Sequence, residues 1–134
     1  MRTAKLFFAK IIFLLTFFQA PFAFAIPTVD CMAWTHNQQN NDFSEAPLKK
    51  TNYDPDYYET KLSQYTMGAD FSYLPQEGIG LIVYDNKSKR FTSNTVGFRR
   101  IGDTKNYEAT LSYYDFNAAG ETVVAGVQCG YRAP

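Results

Sequence analysis

Through the C-terminal half of this chain apolar side chains recur at every second position, a period that dictates extended ribbons buried on one face. Tyr107, Ala109, Leu111 and Tyr113 share one phase, and Val123, Ala125, Val127, Cys129 and Tyr131 share another. Between such runs stand Asp85-Asn86-Lys87-Ser88-Lys89, Gly102-Asp103-Thr104-Lys105 and Asn117-Ala118-Ala119-Gly120. These are the residue types that tight turns need. Residues 57–66 and 69–74 read as further strands, parted at Met67-Gly68. Residues 90–101 read as another, with Gly97 as a bulge. Ile79 to Tyr84 is continuously apolar and predicts a central strand covered on both faces. No segment after residue 25 keeps a helical period. The pattern predicts an all-β domain, an antiparallel sandwich or small barrel of about six or seven strands.

The N-terminus obeys other rules. Arg2, Lys5 and Lys10 precede an apolar run from Ile11 to Phe18, and Ala23-Phe24-Ala25 sets small residues two apart. Such a segment reads as a cleaved secretory signal helix over residues 1–25. Gln19 and Pro21 interrupt it too early for a stable membrane span. Residues 26–134 then form a single β domain that is periplasmic or secreted. Val29, Cys31 and Ala33 alternate as a first short strand. Residues 35–56, with the polar run Asn37 to Asp42 and the interruptions Pro47 and Pro55, read as a long polar loop with a helical turn near residues 43–48.

Cys31 and Cys129 are the only cysteines. In an oxidising compartment an isolated pair forms a disulfide. Each shares the inward phase of its strand, so the first and last strands are expected side by side. Closing a loop of that length stabilises a domain by roughly 4–5 kcal/mol in the chain-entropy picture.

Without residues 1–25 the chain carries ten Lys and Arg against thirteen Asp and Glu. That mild excess of acid argues against nucleic acid, which is bound by neutralising phosphates. The basic residues Lys87, Lys89, Arg90, Arg99, Arg100 and Lys105 nonetheless crowd into one stretch. All ten tyrosines lie beyond residue 25, and tyrosine suits both strands and binding surfaces. Arg99 and Arg100 with Tyr113 and Tyr114, and Tyr57 with Tyr58, are the candidate binding surface.

No motif assigns chemistry. His36, the sole histidine, sits in the polar stretch beside no nucleophile signature. Asp54-Pro55-Asp56 with Glu59 lacks the glycine turn of a calcium loop. No metal or cofactor is expected. Asn86-Lys87-Ser88 is a glycosylation sequon in a turn. In size and compartment the chain is similar to small exported bacterial β-domains, some of which inhibit hydrolases. The expectation is a non-catalytic, inhibitor-like binding module for a protein or glycan partner in the cell envelope. A module acting by strand addition and a small hydrolase built on His36 are the alternatives.

Overall fold

A computed structural model describes residues 28–74, 78–116 and 120–134. Residues 1–25, expected to be a signal helix, lie outside the described residues. Ten strand segments follow in order. They are β1 (Asp30–Asn37), β2 (Phe43–Pro47), β3 (Lys49–Lys50), β4 (Tyr57–Leu62) and β5 (Tyr65–Asp70). After a single 3-10 turn at Phe71–Tyr73 come β6 (Ile79–Asp85), β7 (Arg90–Val96), β8 (Arg99–Arg100), β9 (Asn106–Phe116) and β10 (Thr122–Arg132). They form two five-stranded antiparallel sheets, β2-β1-β10-β9-β8 and β3-β4-β5-β6-β7.

Two corners join the sheets. Only Leu48 separates β2 from β3, and its amide donates to the Cys31 carbonyl at 3.0 Å while its side chain enters the core. Gly97 and Phe98 separate β7 from β8, and the Phe98 ring packs edge-on against Tyr131 with centroids 5.0 Å apart. The bulge expected at Gly97 is thus a change of sheet. Read through both corners, each ribbon pairs with the next in sequence and β10 returns to β1. The sandwich is a flattened meander of eight ribbons, more than the six or seven expected.

The surplus comes from the stretch expected to be a loop. Residues 43–47 and 49–50 are strands, not a helical turn within a loop at 35–56, and β1 runs on through Asn37. Tertiary pairing with β1 and β4 overrides a weak local signal here. The turn expected at Met67-Gly68 lies instead at Ser63-Gln64, where Ser63 takes φ 53°. β6 is covered on one face fully and on the other only partly. Ile79, Leu81, Val83 and Asp85 point inward, whereas Gly80, Ile82 and Tyr84 are half-buried.

The core is asymmetric. Ala33, Ala109, Ala125 and Val127 come from the first sheet; Met67, Ala69, Ile79, Leu81 and Val83 come from the second. Small residues facing large ones let the sheets approach and interdigitate. Cys31 and Cys129 are direct cross-strand partners, bonded to each other with Cα atoms 4.1 Å apart. That is close to the narrow antiparallel pair, in which side chains meet without a shared ladder bond.

Candidate functional site

The predicted surface residues do not converge. Arg99 and Arg100 are exposed on β8, opposite Glu108 and Tyr107 at the start of β9. Tyr114 is six residues further along β9, about 20 Å away at strand rise. Tyr113 points inward, and its ring lies 6.3 Å from that of Tyr65. The mixed Arg99/Arg100–Tyr113/Tyr114 patch is therefore absent, because β8 pairs with the wrong end of β9. Tyr57 and Tyr58 part by strand alternation. Tyr58 faces inward, edge-on to Phe71 at 4.7 Å. Tyr57 lies on the outer face of the second sheet. Burial, followed by the nearby Glu59, Tyr53 and Asp70, pushes its phenol up to about 12.

One end of the sandwich opens into a polar cavity of about 640 Å³ between the ends of β1, β6 and β9 and the β4–β5 turn. Its floor is a hydrogen-bonded network. The Tyr65 hydroxyl donates to Asp115 Oδ2 at 2.6 Å, and Gln64 Nε2 donates to both Asp85 Oδ1 (3.0 Å) and Asp115 Oδ2 (3.3 Å). Asp85 also accepts from the Ser88 hydroxyl at 2.7 Å and from the Lys87 and Ser88 amides. Desolvation favours the neutral acid at Asp85, but the Ser88, Lys87 and Gln64 donors outweigh it and hold the carboxyl below its ordinary value. Burial and the hydrogen bond to Asp115 raise the Tyr65 phenol. The network ties the β4–β5 turn to the β6–β7 turn and to the end of β9. Among the described residues no three His, Cys, Asp or Glu side chains converge as a metal would require.

His36 lies on the outer face of the first sheet. Its Nε2 is 2.8 Å from Asn41 Oδ1, and its ring meets Phe43 edge-on at 6.4 Å. The Asn86 side-chain amide donates to the Gln64 carbonyl and to Thr66 Oγ1, so the sequon nitrogen is committed to joining two hairpins.

That outer face carries what sequence reasoning missed. The strand registers align Phe43, His36, Val124 and Tyr114 in one row across β2, β1, β10 and β9. The next row is Glu45, Trp34, Gly126 and Ser112. Phe43 is 58% exposed, Tyr114 57% and Phe116, beyond Tyr114 on β9, 76%. Trp34 lies down over Gly126, where a Cβ would collide with the indole, Cε2 being 2.5 Å away. The result is a broad aromatic surface spanning four strands, about 14 Å wide at ordinary strand spacing. Of the expected surface residues, only Tyr114 belongs to it. A signal did exist in the sequence. On β9 the outward phase is polar through Asn106, Glu108, Thr110 and Ser112, then turns aromatic at Tyr114 and Phe116. No family model, curated protein or solved structure matches the chain.

Proposed function

We propose that this chain is an exported, non-catalytic module that binds a protein partner in the cell envelope through the aromatic face of β2, β1, β10 and β9. The observation that carries the reading is the exposure of Phe43, Tyr114 and Phe116 around the flat Trp34 on one rigid sheet. Contiguous exposed aromatics are costly in water and mark interaction surfaces. Trp and Tyr on a preformed sheet bury much area at small entropic cost, which is the make-up of interface hot spots. The Cys31–Cys129 bond is consistent with an oxidising compartment. The catalytic alternative has less behind it: His36 is bonded to Asn41, and the Asp85 and Asp115 carboxylates are tied to donors. Strand addition is disfavoured where the sheet rims carry Pro47, Lys49, Lys50 and Arg90, residues that blunt edges.

The test is site-specific crosslinking. A photoreactive phenylalanine analogue replaces Tyr114 and, in a control protein, the exposed Lys61 on the opposite sheet. In envelope extract the residue-114 probe is expected to yield a discrete protein adduct that the residue-61 probe does not. Phe43→Ser with Phe116→Ser should cut that adduct about fivefold or more without unfolding the chain, since both rings are exposed. Equal adducts from both probes, or an adduct indifferent to the double substitution, would refute the proposal.

A further inference from the structure

The opposite sheet holds a second feature, independent of the aromatic face. A groove of about 310 Å³ crosses the outer surface of β4, β5, β6 and β7. The registers build it from two adjacent rows, Tyr57–Asp70–Gly80–Thr95 and Glu59–Gly68–Ile82–Ser93. Two glycines shape the hollow: Gly80 lines it, and Gly68 lets the Tyr57 ring lie flat at its side. A Cβ at residue 68 would run into the Tyr57 ring, whose Cε2 would lie 2.9 Å away. A Cβ at residue 80 would sit 3.2 Å from both Tyr73 Cε2 and Asp70 Cβ. With no side chains at these positions, both tyrosines lie down beside the bare backbone and line a shallow slot. Its far side carries the exposed hydroxyls of Ser93 and Thr95. Asp70 Oδ1 is fixed by the Ser72 amide (2.9 Å) and hydroxyl (2.6 Å). Among the described residues nothing donates to its other oxygen.

We propose that this groove binds a neutral saccharide unit. A sugar ring has an apolar C–H face and a rim of hydroxyls, and the groove offers the matching pair of surfaces. Tyr57, Tyr73 and Ile82 supply apolar area, while Asp70 accepts and Ser93 and Thr95 exchange hydrogen bonds at the edge. Concave sites of roughly 300 Å³ and above, mostly apolar with a few placed polar groups, are the usual form of small-ligand sites. The charge selects the class. Asp70 lines the slot, and among the described residues no Lys or Arg lines it; Glu59 stands in the adjoining row with Lys49 opposite it on β3. Phosphorylated and uronate ligands would be repelled. The open sides suit one ring of a longer chain.

The glycine amides make the test local. The 15N-labelled processed chain is titrated with linear hexamers of β-1,4-linked glucose, α-1,4-linked glucose and β-1,4-linked N-acetylglucosamine. A galacturonate hexamer and choline are run in parallel. At least one neutral hexamer, at about 10 mM or below, is expected to shift the Gly68 and Gly80 amides and leave Gly126 unmoved. Tyr73→Ala and, separately, Thr95→Arg should each raise that Kd about tenfold or more. Thr95 is exposed, so its variant keeps the test valid if Tyr73→Ala lowers stability. The proposal is overturned if no neutral hexamer moves Gly68 and Gly80, if both variants bind like the parent, or if the uronate or choline binds tighter than every neutral sugar. Crosslinking from residue 114 reads the other sheet, so either proposal can fall alone.

Discussion

Asp85 shows how a single buried carboxylate organises one end of the sandwich. It is 1% exposed, inward on β6 in line with Ile79, Leu81 and Val83, and a charge there requires full hydrogen bonding. Four donors from Gln64, Lys87 and Ser88 supply it, binding the β4–β5 turn to the β6–β7 turn. Asparagine is nearly the same shape but offers one acceptor oxygen in place of two and turns an N–H toward existing donors. Asp85→Asn should therefore cost about 2–3 kcal/mol at neutral pH, read by urea unfolding. The acid side follows from the lowered folded value. Because the native state holds the carboxyl below its unfolded value of about 3.9, its contribution is complete above that value. It is lost as pH falls through the lower folded value. The gap between parent and Asp85→Asn should thus hold from neutral pH down to about pH 4 and narrow only as the pH falls further; a gap that stays constant through the acid range would show that Asp85 does not titrate in this way.

At the scale of strands, what matters is which side chain faces which, and register decides it. Trp34 occupies the outer face because its neighbours Ala33 and Thr35 take the inner phase, and it can lie flat only because Gly126 stands opposite on β10. Gly126→Ala should lift the indole into water. As the chain's sole tryptophan, it then gives a red-shifted emission, with a stability loss of about 1–2 kcal/mol. Unchanged emission would mean the ring does not rest on that glycine. Strands with one buried face were legible in the sequence: β9 and β10 announce themselves by phase, and each cysteine falls in the inward phase of its own strand, Cys31 on β1 and Cys129 on β10. β2 was not legible. Its inward residues Ser44 and Ala46 are small or polar, since they border the end cavity and the corner, and Phe43 and Pro47 face out. The candidate surface was legible only in fragments for a related reason. Trp34, Phe43, Tyr114 and Phe116 sit on three strands, and only the pairing of β1 with both β2 and β10 brings them together. The Arg99–Tyr114 pairing failed because sequence proximity on neighbouring strands says nothing about which ends meet.

For the molecule as a whole, closure is the central fact, and one covalent bond reinforces it. The ladder between β1 and β10, from Asp30↔Gly130 to Asn37↔Val123, brings the two ends of the described chain together and completes the meander. It is also the pairing with the greatest sequence separation, and so costs the most chain entropy to form. The Cys31–Cys129 bond spans 98 positions within that ladder. Its effect therefore falls mainly on the unfolded ensemble, which it holds in a ring. The same ladder also buries Ala33, Ala125 and Val127, whose packing involves neither sulfur. The Cys31→Ala, Cys129→Ala double variant should therefore keep its β-sheet circular dichroism while losing about 4 kcal/mol, with a Tm lower by on the order of 20 °C. The m-value for urea should rise at the same time, because the released unfolded chain exposes more surface. A loss of stability without that rise would place the effect in the native state instead. A loss below about 1 kcal/mol would mean that the β1–β10 ladder closes the sandwich without covalent help.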